Sequence, residues 1–342
     1  MSDTSPRIGL VGAGGIAYAH MPGLLRLGPV TVYALDGGSE LAAAFTSAAE
    51  AACSSITVVD SLDDLLAVVD VVDVVTPTFA HAEVVRAALA AGKDVISEKP
   101  LARTDADAAD LAERARDAGR RLYPAHVVRF FPAYVRLKEA VTTGLLGDLA
   151  VLRFVRSGAF PTRTPWFADR ALSGGIIMDQ MIHDLDIARW VAGDVVRVSA
   201  VSVRGGENAA PVEAAHVLLT HASGAITHVA GIWGPPHLGF STEYSVTGTL
   251  GSLSHSSRAE QDYVTDLATQ DALDGFLPQI DPADDPYGTE LEEFTAAFAG
   301  GPDPRVSAED GIEAVRIANA ALESLETGQP VSLVPAGAEV LA

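Results

Sequence analysis

The stretch RIGLVGAGGIAYAHMPGLL, residues 7–25, sets a short apolar run directly before a glycine turn and a helical pattern directly after it. Its glycines keep the spacing Gly12-x-Gly14-x-x-Ala17. Gly12 allows a tight turn, Gly14 lets a pyrophosphate come close to the backbone, and Ala17 lets the helix pack against the strand it has just left. Gly15 and Ile16 open the helix, where N–H groups have no partner within the helix and suit an anion. Few architectures accept such a unit. It predicts the first strand and helix of a doubly wound α/β sheet that holds a dinucleotide.

The next hundred residues repeat the alternation. Apolar runs at VTVYALD (30–36), ITVV (56–59), VDVVTP (72–77) and DVISEK (94–99) are separated by alanine-rich helical patterns, and RLYPAHV (121–127) reads as a sixth strand. Continuous apolar runs alternating with helices predict a parallel sheet covered on both faces. Asp36 closes the second run, about 20 residues after the glycine turn, where an acid binds the adenosine ribose hydroxyls. Its carboxylate repels a 2′-phosphate and Gly37 offers no cation, so the expected cofactor is NAD rather than NADP.

After about residue 125 the pattern changes. A helix is expected over 132–143, strands near 149–157, 195–204, 213–221, 225–233 and 241–254, and a helix inserted at 174–192. Short turns such as HASGA and GTLGS imply an antiparallel sheet. The polar, acidic, proline-containing stretch 255–286 reads as a loop, and helices near 287–300 and 307–327 follow, the second after a VSAED start signal. The expected organisation is a Rossmann domain at 1–125 and a second α/β domain at 126–342.

Composition narrows the function. A chain of 342 residues that is 48% hydrophobic is expected to bury a large core, and its net charge of −22 repels phosphate backbones, excluding general nucleic-acid binding. No run nears the roughly 20 apolar residues of a membrane helix. MSDTSPR does not read as a secretion signal, and the lone Cys53 excludes an intrachain disulfide and a thiolate-only metal site, so a cytoplasmic protein is expected. Only Lys93, Lys99 and Lys138 are lysines among 23 basic residues. Where arginine serves most cationic needs, a lysine can mark a need for a group able to lose its proton.

Two further segments carry chemistry. SEKPL ends the fifth strand run and TPTFAH (76–81) ends the fourth. Ligands in this architecture bind beyond the carboxyl ends of strands, so both loops border the glycine turn, and Lys99 sits among them. GGIIMDQMIHDLDIARW (174–190) sets Asp179, His183 and Asp186 at steps of four and three, one stripe of a helix. A carboxylate beside an imidazole can orient it and stabilise its charged form. A metal pair and a buried structural network are the competing readings; no convincing third ligand is present, and no metal is expected. Asp186 fits the structural role best, and Asp184 is expected to face solvent.

These segments together resemble the Gfo/Idh/MocA family of nicotinamide-dependent oxidoreductases. The resemblance spans nearly the whole chain, including TPTFAHAEVVRAALAAGKDVISEKPLA, HVVRFFPAYVRLKEA, SGGIIMDQMIHDLDIARWVAG and SAEDGIEAVRIANAALESLETGQPVSL. It implies a Rossmann domain followed by an α/β domain with a large open, mostly antiparallel sheet, through which members pair as homodimers or homotetramers. It also implies a small-molecule sugar, inositol or related polyol as substrate, with no nucleic-acid or membrane partner. By resemblance Lys99 is the active-site lysine, Asp179 the substrate-binding acid and His183 the general acid/base. Thr76, Pro77, His81, Glu98 and Lys99 fall in segments near the cofactor, as does Trp166. Two other functions use such a scaffold: NAD-dependent glycoside cleavage through transient oxidation, and non-enzymatic nucleotide sensing. Retention of Lys99, Asp179 and His183 together favours the dehydrogenase.

Overall fold

The structure, a computed structural model, describes residues 6–162, 164–206, 211–258 and 285–333. The chain divides into two compact units, one of Met1–Phe131 with Pro282–Ile312, the other of Pro132–Asp281 with Glu313–Ala342. The division differs from a single cut at 125. The Pro286–Phe298 helix, expected in the second unit, packs in the first, because Leu291, Phe294 and Ala297 complete the apolar layer beside the Gly15–Leu27 helix.

In the first unit, strands β1 (Ile8–Val11), β2 (Val30–Tyr33), β3 (Ile56–Val58), β4 (Val71–Val74), β5 (Asp94–Glu98) and β6 (Leu122–Ala125) form one parallel sheet in the order β3-β2-β1-β4-β5-β6. The order reverses direction beside β1, the switch point where doubly wound sheets bind ligands. Alternate side chains feed two cores. Ile8, Leu10, Val71 and Ile96 pack towards the Gly15–Leu27 and Pro286–Phe298 helices. Val11, Val72, Val74 and Val95 pack towards Leu65, Val85 and Leu111 on the opposite face.

In the second unit, β7 (Leu149–Ala159), β8 (Val195–Gly205), β9 (Val212–His221), β10 (Ile226–Gly234), β11 (Ser241–Gly248), β12 (Ser252–Ser256) and β13 (Val331–Ser332) form a sheet in the order β12-β11-β7-β10-β9-β8-β13. Only β7 and β10 pair in parallel, so the sheet is mostly antiparallel, as expected. The run expected as one strand at 241–254 is two strands that pair across a turn at Thr249 and Leu250. One sheet face is buried beneath helices. The other leaves Val151, Val201, Val203, Leu218 and Ile226 exposed. The loop expected at 255–286 lies for the most part outside the described residues. No helix among the described residues is long and apolar enough to cross a membrane.

The VSAED start signal forms a reciprocal cap on the Ala308–Thr327 helix. Ser307 Oγ accepts from Asp310 N, and Asp310 Oδ2 accepts from Ser307 N at 2.9 Å. The same carboxylate lies 3.2 Å from Nη1 of Arg129, a guanidinium only 1% exposed. Burial opposes ionisation of Asp310, but Arg129 and the Ser307 bonds prevail and hold its pKa at about 2. Asp310→Asn should therefore lower stability by about 2 kcal/mol at pH 7 in urea unfolding. A depressed carboxyl pKa stabilises above the unfolded value, so the deficit should be complete above about pH 4 and fade as the pH falls towards the folded value.

Candidate active site

In the first unit, Thr76 lies against the glycine turn, and His81 joins it to the loop at Pro100. Gly12 has φ 115°, and a Cβ there would stand 2.8 Å from Val75 O and 3.1 Å from Thr76 N. The turn thus lies against the loop that follows β4, and only glycine fits. Gly14 and Gly15 are exposed, with nothing within 4 Å of a Cβ position. The helix starts at Gly15 with no side-chain cap, which leaves its first-turn N–H groups to an anion. Ile16 is the next residue of that turn. Asp36 is exposed just beyond the end of β2. The Thr76 hydroxyl is buried with no hydrogen-bond partner among the described residues. An open cradle, an uncapped helix and an orphaned hydroxyl fit the pyrophosphate and ribose of a dinucleotide.

Two loops flank that cradle. Pro77 leads from β4 into the short turn at Thr78–Ala80 and the His81–Ala90 helix. His81 is buried, with Nδ1 2.8 Å from Pro100 O and Nε2 2.8 Å from Thr76 O, so its ring spans the two loops. Burial pulls its pKa down towards the neutral ring, which can donate to only one of those carbonyls. Lys99 is half-buried at the end of β5, and its backbone N–H donates to Glu98 Oε2 at 2.8 Å. The Lys99–Pro100 peptide is cis.

Asp179, His183 and Trp166 belong to the second unit. The helix expected over 174–192 is present from residue 175 to 192, and the structure adds a π-turn within it. A short helix at Arg170–Ser173 is capped by Gly174, the next helical segment opens at Gly175, and both glycines have positive φ; a π-helix follows at Ile177–Met181, then an α-helix at Ile182–Ala192. The π-turn is accommodated by β10, where a Cβ on Gly231 would stand 2.4 Å from Met181 Cγ. A π-turn is rare and tends to mark function, and this one carries Asp179. A Cβ on Gly175 would stand 2.8 Å from Glu213 Oε1, an oxygen that also accepts from Ile176 N and Arg170 Nη2. Gly175 thus serves close approach to a neighbouring strand. Asp179 is buried and His183 half-buried. Trp166 lies on the Pro165–Ala168 turn, its ring stacked 3.9 Å from that of Phe167.

Asp184 does not face solvent. It is buried in a two-pronged pair with Arg156, Nε to Oδ2 at 2.7 Å and Nη2 to Oδ1 at 2.9 Å, and Gln180 Nε2 donates to Arg156 O. The guanidinium comes from β7. Asp186 is buried too, in keeping with a structural role. Among the described residues no group of three or more His, Cys, Asp or Glu is arranged for a metal.

A second buried cluster was not legible. His20, Asp73, Glu98 and Glu290 are each at most 4% exposed. His20 Nδ1 lies 2.8 Å from Asp73 Oδ2 and its Nε2 3.2 Å from Glu98 Oε1. Its one local signal is Asp73, a charge inside the apolar run VVDVV.

Arg156→Met should cost about 3–5 kcal/mol in thermal unfolding, because it strands a buried carboxylate. Pairing it with Asp184→Leu should recover most of that loss, since two apolar side chains then fill the space.

Comparison with known proteins identifies the family. A family model for an oxidoreductase family with an NAD-binding Rossmann fold matches residues 6–126, and one for the GFO/IDH/MocA C-terminal domain matches 134–254. The chain is 30% identical to 1,5-anhydro-D-fructose reductase of Ensifer adhaerens over 336 residues, 96% of this chain and 98% of that one. It is 30% identical to inositol 2-dehydrogenase 2 of Saccharopolyspora erythraea over 338 residues, 96% of each. The crystal structure of GenD2 from gentamicin A biosynthesis in complex with NAD matches with a TM-score of 0.82 at 26% identity, over 98% of both chains.

Proposed function

This chain belongs to the GFO/IDH/MocA oxidoreductase family, and on that premise we propose that it moves a hydride between NAD and a secondary alcohol or ketone of a sugar, inositol or related polyol. The observation that carries the cofactor half is the open cradle at Gly14 and Gly15 above an uncapped helix. The N–H groups of Gly15 and Ile16 would hold the pyrophosphate, and Asp36 would hold the ribose hydroxyls. Thr76, Pro77 and the Lys99 turn border the rest of it. Asp36, with Gly37 beside it, favours NAD over NADP. The substrate half is supported by the relatives, one named for an anhydrofructose and one for inositol.

When bound, NAD supplies the hydride acceptor. The protein manages the proton and the charge. His183 takes the hydroxyl proton as the alcohol is oxidised, a task that suits an imidazole near neutral pH, and returns it to the oxygen in reduction. Lys99 donates a hydrogen bond to the same oxygen and stabilises the charge that develops on it. Asp179 orients the imidazole or holds a neighbouring substrate hydroxyl. By the family resemblance, Trp166 would supply an aromatic face for the nicotinamide.

The test is a panel of inositols, aldoses and keto-sugars, followed by NADH absorbance with NAD and NADP in parallel. At least one panel member should turn over, with NAD preferred. Lys99→Ala and His183→Ala should each lower turnover about 100- to 10,000-fold while dinucleotide still binds. Near-wild-type turnover by both variants would remove these residues from the mechanism.

We also propose a homodimer or homotetramer built on the open face of the second unit's sheet. The exposed Val151, Val201, Val203, Leu218 and Ile226 favour it, since such a patch is costly to leave in water. Light scattering should give two or four times the protomer mass; a monomer at micromolar concentration would exclude it.

A further inference from the structure

The apolar layer between the parallel sheet and the Gly15–Leu27 and Pro286–Phe298 helices contains four ionisable side chains. Strand periodicity puts Asp73 on the same face as Val71 and Val75, and Glu98 on the same face as Ile96. His20 comes from the first helix and Glu290 from the second. Nothing in the fold requires them there. A layer of valine and leucine would cost less than buried charge, and replacing such groups by apolar ones is often neutral or stabilising. A network kept for stability would also satisfy its members. Here Asp73 Oδ1 and both oxygens of Glu290 have no hydrogen-bond partner among the described residues.

The proton inventory explains how the layer tolerates them. Both ring nitrogens of His20 face carboxylate oxygens, so both carry a proton and the ring is a cation. Burial opposes that charge, but Asp73 and Glu98 outweigh it and raise its pKa well above the usual value. Burial likewise opposes ionisation of Glu98, and the His20 bond, with Lys99 and His81 nearby, holds its pKa below the usual range. Burial, reinforced by Glu98, pushes the pKa of Glu290 far up, and it stands as the neutral acid. The Tyr287 ring covers the imidazole with centroids 5.8 Å apart.

Glu98 is the member that reaches outward. One oxygen accepts a hydrogen bond from His20 Nε2 and the other accepts one from the Lys99 backbone N–H. We propose that His20 is a positioning residue for Lys99: by bridging Asp73 on β4 and Glu98 on β5 it locks the Glu98 carboxylate, and that carboxylate fixes the Lys99 turn. On the far side the His81 ring lies against Pro100 O, so Lys99 is held between two buried histidines. The inference rests on Lys99 as a catalytic residue of the proposed dehydrogenase.

His20→Gln on the full chain tests it through two readings. The first needs no turnover: amide exchange at Lys99, followed by NMR without dinucleotide, should quicken about tenfold or more relative to amides elsewhere in the same parallel sheet. The second is kinetic, with NAD and whichever inositol, aldose or keto-sugar the wild type oxidises fastest. kcat should fall about 10- to 100-fold with KM changed less than about threefold, because a misplaced group costs rate more than binding. Adding Glu98→Gln should cost little more, since both changes break one linkage. If His20→Gln does not fold, His20→Gln with Asp73→Asn removes cation and carboxylate together and takes the same measurements. Unchanged exchange at Lys99 overturns the proposal whatever happens to turnover. Faster exchange with unchanged kcat overturns it as well. A wild type silent across the whole panel defeats the dehydrogenase reading instead, and leaves exchange to judge the His20–Lys99 linkage.

Discussion

No side chain fits at Gly12, and the geometry of the first unit follows from that. The missing Cβ lets the turn after β1 lie against Val75 and Thr76 at the end of β4. Thr76 O meets the His81 ring, and the same ring meets Pro100 O. Next to Pro100 the Lys99 N–H is bonded to Glu98, Glu98 to His20, and His20 stands on the helix that the glycine turn began. The contacts close a circuit from turn to loop to loop to helix. Each element is fixed by two neighbours, so the cradle for the pyrophosphate and the turn that carries Lys99 share one framework. A side chain on a turn held in this way has a better-defined position than one on a flexible loop.

The second unit solves a similar problem with different chemistry. It must hold two polar groups, Asp179 and His183, on a helix that is otherwise core. The π-turn widens the backbone at Asp179, Gly231 makes room for Met181 beneath it, and Glu213 accepts from Ile176 where the chain enters. Arg156 then anchors Asp184 one residue beyond His183. A buried guanidinium–carboxylate pair is a poor way to gain stability but a good way to specify an arrangement, because any slip of the helix strands two charges in the core.

What could be read from the sequence was what is local. The glycine turn, the six strand runs and SEKPL each announce themselves within a few residues, and their placement at the carboxyl ends of strands follows from the doubly wound plan. The Ser307–Asp310 cap was legible for the same reason. What was not legible depends on partners far away in the chain. Asp184 looks solvent-facing until Arg156, 28 residues earlier, is brought beneath it. The π-turn needs Gly231, which lies on another strand and has no periodicity to betray it. The Pro286–Phe298 helix follows the second unit in sequence but finishes the core of the first, and only the complementary faces of Leu291 and Phe294 reveal this. His20 sits on the apolar stripe of its helix with Ala17, Met21 and Leu24, so a helical pattern reads it as core; the pattern is right about burial and silent about charge.

That silence matters for the chemistry. A buried acid in an apolar strand has two ways to persist: it keeps its proton or it finds a cation. The first unit uses both within one layer. Glu290 keeps its proton, while Glu98 loses its own because His20 holds one between the two strands. The outcome places an ionised carboxylate directly behind the lysine turn, with no second carboxylate charge from Glu290. A neutral Glu98 would still accept a hydrogen bond, but a weaker one, since a charged acceptor makes the bond roughly twice as strong. The proton on His20 therefore tightens the turn that the Gly12 circuit has already placed. Position is set by a missing side chain and tightness by a trapped proton, two properties that no local pattern in the sequence can display together.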